Sequence, residues 1–255
     1  MANDFESASQ SQVPVLSPAY GSYPEVEVEE RPSSRSSRSR PYQEISLPAG
    51  LFRYRVIKRG MDVVLVILGL PVLLPVLLVI GAVVKLTSPG PVFFSHRRIC
   101  KHGAFFSMWK FRTMCVNSAE VLEQYLAKNP EARKEWNRAH KLQHDPRITP
   151  VGLFLRRYSL DELPQAWNVL TGCMSLVGPR PIVAAEVVRY GDLFGFYCRV
   201  KPGVTGLWQV SGRSKLTYEQ RVRIDREYVL EWSLLRDCWI LLKTFVSVAN
   251  RDGAY

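Results

Sequence analysis

The stretch VVLVILGLPVLLPVLLVIGAVV, residues 63–84, runs for 22 residues without a charge. As a straight helix it would reach about 33 Å, enough to cross a hydrocarbon core of about 30 Å. Gly69, Pro71, Pro75 and Gly81 interrupt it. Each proline deletes one helical hydrogen bond and crowds the carbonyl four residues back. Arg53, Arg55, Lys58 and Arg59 precede the segment, and Lys85, Arg97, Arg98 and Lys101 follow it. With both flanks basic, the positive-inside rule gives no orientation. Composition alone favours a single-pass helix. The other solution is a helix that enters one leaflet, bends near Pro75 and returns, leaving both ends cytoplasmic.

Outward from this segment the charge is uneven. Residues 1–50 hold four Arg against seven acids, whereas residues 51–255 hold 30 basic against 16 acidic residues. A body that basic expects a polyanionic partner: nucleic acid, anionic lipid or a phosphorylated substrate. The overall 47% hydrophobic and 22% charged content excludes a wholly disordered chain. Cys100, Cys115, Cys173, Cys198 and Cys238 are scattered and odd in number, which argues against a disulfide framework or a zinc site. The opening MANDFESASQ is neither basic nor apolar, so no secretory signal is expected.

Residues 1–50 contain eleven Ser, an acidic run from Glu25 to Glu30 and the block RPSSRSSRSR. They read as a disordered Ser/Pro/Arg-rich tail, mainly a solvated linker. Past Lys85, the segments 91–96 and 104–111 read as two strands around the turn Lys101-His102-Gly103. Residues 117–144 read as two helices parted at Asn129-Pro130, and Asp145-Pro146 and Thr149-Pro150 close that region. A short helix over 151–158 leads to SLDELPQAWNVL, read as another helix. Residues 230–248 form the last, with Trp232, Leu235, Trp239, Leu242 and Val246 on one stripe, suited to a core or a membrane interface.

The most informative stretch for chemistry is Arg156-Arg157-Tyr158-Ser159-Leu160-Asp161-Glu162-Leu163-Pro164-Gln165. Pro164 is best tolerated in a first helical turn, which sets a helix start near Asp161; Ser159 and Glu162 also have capping-box spacing. In either register Asp161 and Glu162 sit at a helix N-terminus, where the dipole favours an ionised carboxylate. An ordinary cap explains the same letters. Arg156 and Arg157 weigh toward chemistry, because an arginine-lined helix N-terminus suits phosphate, and a carboxylate beside bound phosphate can attack phosphorus.

Other cations held by Pro/Gly turns lie nearby: Lys110-Phe111-Arg112-Thr113, Gly178-Pro179-Arg180-Pro181, and Lys201-Pro202-Gly203-Val204-Thr205-Gly206 through Gly212-Arg213. Neither a P-loop nor a dinucleotide fingerprint is present. Among His96, His102, His140 and His144, the i, i+4 pair His140 and His144 lacks the H-E-x-x-H glutamate and reads as surface.

KFRTM, LRRYSLDELPQ, SLVGPRP and KPGVTGLWQVSGR, in this order behind a basic-flanked apolar segment, resemble the bacterial sugar transferases, the monotopic phosphoglycosyl transferases. The resemblance runs from about Arg55 to Tyr255. It is strongest to short enzymes that begin exopolysaccharide repeat units by moving hexose 1-phosphate from a UDP-sugar to undecaprenyl phosphate; the extra polytopic N-terminal half of the long members is not expected. The resemblance implies a small mixed α/β domain of α+β type, a re-entrant membrane helix over 51–86 bent at Pro75, interfacial amphipathic helices and a catalytic domain over 87–255.

It further implies that Asp161 attacks the β-phosphorus, that UMP leaves, and that the lipid phosphate takes the phosphosugar from the aspartate. Glu162 completes the acidic dyad, and both carboxylates would hold Mg²⁺. Arg156 matches the family's phosphate-binding arginine, and Lys110, Arg112, Arg180 and Arg213 are further candidates for nucleotide or lipid-phosphate contacts. The expected partners are UDP-galactose or UDP-glucose, undecaprenyl phosphate and inner-membrane lipid on the cytoplasmic face, without nucleic acid; oligomeric state, a homodimer included, stays open. The chain departs from the family at Leu74, where many relatives have Ser, and at Cys100, where Gly is usual. Outside the transferase reading stand a catalytically silent membrane scaffold and a single-pass nucleic-acid-binding protein.

Overall fold

The computed structural model describes residues 52–212 and 216–249, so the expected tail over 1–50 and the candidate Arg213 lie outside the described residues. Helix α1 spans Phe52–Thr87, with Pro71 and Pro75 inside it. Strands β1 (Phe93–Ile99) and β2 (Phe105–Phe111) follow, then α2 (Ser118–Lys128), α3 (Pro130–Ala139) and α4 (Pro150–Arg157). A 3₁₀ turn, Leu160–Glu162, precedes α5 (Gln165–Thr171) and β3 (Ser175–Val177). Two one-turn helices, α6 (Val187–Tyr190) and α7 (Phe194–Tyr197), lead to β4 (Gly203–Thr205), α8 (Leu207–Ser211), α9 (Tyr218–Leu230) and α10 (Leu234–Ala249). The fold is mixed α/β, with an antiparallel β1–β2 hairpin and a parallel β3–β4 pair.

Helix α1 is apolar around most of its circumference, yet it buries a single stripe. Tyr54, Lys58, Asp62 and Val66, four residues apart, face the body, as do Ile80 and Val84 further along. Tyr54 joins Val177, Val200, Tyr228 and Ile240; Val66 joins Phe106, Val169 and Met174; Ile80 and Val84 join Phe111 and Leu155. The other face leaves Leu68, Val72, Leu78 and Leu86 more than two-thirds exposed. It is the one described helix long and apolar enough to cross a membrane.

Polar side chains pin its first half. Lys58 Nζ donates to Asp237 Oδ2 at 2.7 Å, and Tyr228 Oη and Trp232 Nε1 each donate to the same carboxylate at 2.8 Å. Asp62 Oδ1 accepts from Ser175 Oγ and the Leu176 amide, both at 3.0 Å. Arg59 donates to the Val169 and Leu170 carbonyls in the last turn of α5, where Val169 also accepts from the Gly172 amide.

Three sequence readings are corrected. β1 runs on to Ile99, because its burial alternates through Arg97 and Arg98 and both charges are accommodated on a half-open strand. SLDELPQAWNVL is a 3₁₀ turn and then a helix starting at Gln165, with Pro164 in the capping position and no side-chain cap from Ser159. The 230–248 helix is split between Leu230 and Leu234: Trp232 turns inward against Tyr54, ring centroids 4.4 Å apart, while Leu235, Trp239, Leu242 and Val246 are exposed.

Candidate active site

Period-two alternation on the hairpin builds one wall of a cleft. Phe94 pairs with Lys110, His96 with Met108 and Arg98 with Phe106, and of these Phe94, His96, Arg98, Met108 and Lys110 line it. The end of α4 and the 3₁₀ turn supply the opposite wall with Arg156, Ser159, Asp161 and Glu162. The cleft encloses about 360 Å³.

Asp161 is 8% exposed. Lys110 Nζ stands 2.6 Å from Glu162 Oε1 and 3.7 Å from Asp161 Oδ2, so one ammonium faces both acids. Burial pushes the Asp161 carboxyl above the usual carboxylate range; Lys110 opposes the rise, Glu162 adds to it and Arg156 opposes it. The expectation of a carboxylate ionised by a helix dipole is therefore replaced by one whose charge depends on neighbouring cations. Arg156 is held in place by its Nε, which donates to Thr113 Oγ1 at 2.8 Å. Thr149 caps α4 by accepting from the Gly152 amide at 2.9 Å, fixing the helix that carries Arg156.

The other candidates divide. Arg112 lines the cleft but is buried, and its Nη2 donates to the carbonyl and hydroxyl of Ser88 at 2.7 and 3.1 Å. That tie anchors the end of α1. Gly90, at φ +111°, makes room: a Cβ there would lie 2.2 Å from Arg112 Nη1. Arg180 is exposed and lines a second cavity instead. The two Gly/Pro motifs around it pack against each other, since a Cβ on Gly203 would lie 2.1 Å from the Gly178 amide nitrogen. They join β3 to β4 by close backbone approach, a role their letters did not separate from phosphate binding.

The second cavity, about 700 Å³, lies along α1. Leu65, Val66, Gly69 and Leu73 form its apolar side, and Arg180 and Arg221 supply cations. It meets the first cleft at Ser159 and Glu162, which line both. His96 and Arg98 line the cleft although the sequence reading gave them no role there, and Thr113 lines it from the Lys110–Thr113 stretch already singled out; the alternation running through His96 and Arg98 was the available signal.

No cluster of three or more His, Cys, Asp or Glu suited to a metal occurs among the described residues. Asp161 and Glu162 offer two adjacent carboxylates, a donor set that fits an ion completing its shell with water and substrate phosphate.

The bacterial sugar transferase profile matches residues 53–251, and the chain belongs to that family. It is 50% identical over 201 residues to the undecaprenyl-phosphate galactose phosphotransferase of Salmonella typhimurium, covering 79% of this chain and 42% of that one. It is 47% identical over 198 residues to the exopolysaccharide production protein ExoY of Sinorhizobium fredii, covering 78% and 88%. Against the UDP-glucose:undecaprenyl-phosphate glucose-1-phosphate transferase of Escherichia coli it is 43% identical over 210 residues, covering 79% and 42%. The chain thus spans about four tenths of the Salmonella and Escherichia relatives and most of ExoY.

Proposed function

We propose that this protein transfers hexose 1-phosphate, galactose or glucose, from a UDP-hexose to undecaprenyl phosphate, as the first step of exopolysaccharide repeat-unit assembly. The observation that carries the reading is the buried Asp161 carboxylate facing Lys110 in a cleft that also holds Arg98 and Arg156. An Asp161 oxygen bonds to the β-phosphorus as the bond to UMP breaks, and UMP leaves with that electron pair. An oxygen of the lipid phosphate then bonds to the same phosphorus, the bond to Asp161 breaks, and the carboxylate returns. Lys110 and Arg156 bind phosphate oxygens and keep Asp161 ionised; Glu162 holds Lys110. Asp161 and Glu162 would hold Mg²⁺, which when bound supplies charge neutralisation for phosphoryl transfer.

The cationic cleft takes the nucleotide sugar, and the half-apolar cavity along α1 takes the lipid phosphate, its Arg180 and Arg221 facing the charged head. Their meeting at Ser159 and Glu162 suits two substrates that visit one nucleophile in turn. The exposed apolar faces of α1 and α10 rest in the cytoplasmic leaflet of the inner membrane, with α1 re-entrant about Pro75. The test is UMP release from UDP-galactose and UDP-glucose by detergent-solubilised protein with undecaprenyl phosphate and Mg²⁺. Release from at least one donor supports the reading; none from folded protein across a UDP-sugar panel overturns it.

A further inference from the structure

His96 lies on the cleft wall but has no part in the phosphoryl-transfer scheme. Its Nδ1 is 3.1 Å from the Arg97 carbonyl oxygen. A carbonyl only accepts, so Nδ1 carries the hydrogen and Nε2 of the neutral ring is left as an acceptor. Burial, reinforced by the Arg98 guanidinium, lowers the affinity of the ring for a second proton and keeps that acceptor at neutral pH.

The surroundings say what would use it. Arg98, Lys110, Arg112 and Arg156 can only donate, which suits phosphate oxygens. Asp161 and Glu162 accept, but the transfer scheme commits them to the phosphorus and the metal ion, and Lys110 already donates to Glu162. Thr113 Oγ1 already accepts from Arg156. A sugar hydroxyl entering this cleft brings a hydrogen that needs an acceptor. His96 supplies one between two apolar surfaces, Phe94 on its own strand and Met108 directly across. Phe94 pairs with Lys110, the residue that faces the dyad, so His96 is one same-face step along the strand, about 7 Å. A hexose attached to the phosphorus beside Asp161 spans that distance.

We infer that His96 accepts a hydrogen bond from a hydroxyl of the donor hexose and so sets which UDP-hexose the protein uses. The inference deepens the proposed function and rests on it. A site built to satisfy a hydroxyl discriminates against the sugar that presents it wrongly, because its own acceptor is then left unpaired.

The test compares wild type, His96→Ala and His96→Gln, whose amide oxygen can still accept. The readout is kcat/KM for UMP release with UDP-galactose and with UDP-glucose. His96→Ala should lose about tenfold or more on the preferred donor and much less on the other, bringing their ratio toward one. His96→Gln should keep part of the preference. Equal loss on both donors, or an unchanged ratio, overturns the inference. Equilibrium binding of the same two nucleotides to Asp161→Asn, with and without His96→Ala, reads the ratio without turnover. A binding preference lost with His96 shows that His96 reads the hexose, and where UMP release also fails it is the transfer reading that falls; an unaltered binding preference overturns the inference. Matching melting temperatures among the variants show that the fold is intact.

Discussion

Lys110 and Glu162, 52 residues apart in sequence, meet at 2.6 Å, and the same ammonium lies 3.7 Å from Asp161. One strand residue therefore balances two adjacent acids, and the charge of Asp161 is set across the cleft rather than by its own turn.

Replacing Lys110 with Met removes the cation that opposes the burial of Asp161. The Asp161 carboxyl then moves further above the ordinary range, so the acid limb of the rate profile shifts to higher pH. Catalysis at neutral pH should fall on the order of 100-fold, the scale for losing one charge-stabilising group. Rates of UMP release from pH 5 to 9 check this; an unshifted acid limb contradicts it.

The Asp237 carboxylate is fully buried and receives Lys58, Tyr228 and Trp232. Asp237→Ala strands a buried ammonium and should cost about 3–5 kcal/mol. Thermal or denaturant unfolding in detergent measures it, and a loss under about 1 kcal/mol would show that α1 is held chiefly by its apolar stripe.

Asp225 is buried, accepts from Tyr190 Oη at 2.8 Å through one oxygen, and is pushed up to about 7 by burial. The folded state therefore holds its proton more tightly than the unfolded chain does. The stabilisation is complete below the ordinary carboxylate value near 3.8 and is lost as pH rises through 7, a swing of about 4 kcal/mol. Asp225→Asn should flatten the fall in melting temperature between pH 5 and 8. Parallel curves for the two proteins would contradict the shift.

For the re-entrant arrangement, single cysteines placed at Arg53 and at Thr87 should react with an impermeant thiol reagent from the same, cytoplasmic side. Labelling from opposite sides would establish a single crossing instead.

What the sequence made legible follows from local rules. The hairpin was visible because strands alternate and Lys101-His102-Gly103 supplies a turn, in which His102 adopts φ 63°. The α2–α3 break at Asn129-Pro130 was visible because proline opens helices. The gap at Glu231-Trp232-Ser233 was not, since no Gly or Pro marks it; Trp232 leaves the helical path to donate to Asp237 and to pack on Tyr54, a residue from the start of α1 far away in the chain. Asp161 and Arg156 stood out through their motif, and the fold brings both to one cleft. Their electrostatics were not legible, because the deciding partners, Lys110 near the end of β2 and Thr113 just past it, come from a distant part of the chain. The glycine-rich motifs were ambiguous for a related reason: close backbone packing and phosphate cradling call for the same residue.

The central claim is a covalent phosphosugar on Asp161, and intact-protein mass after incubation with UDP-hexose and Mg²⁺, without lipid acceptor, tests it most directly. Wild type should gain the mass of one hexose phosphate, mapped to the peptide containing Asp161 and discharged by undecaprenyl phosphate, while Asp161→Asn gains nothing. An adduct that persists in Asp161→Asn, or UMP released only when both substrates are present and never with an adduct, would contradict the account.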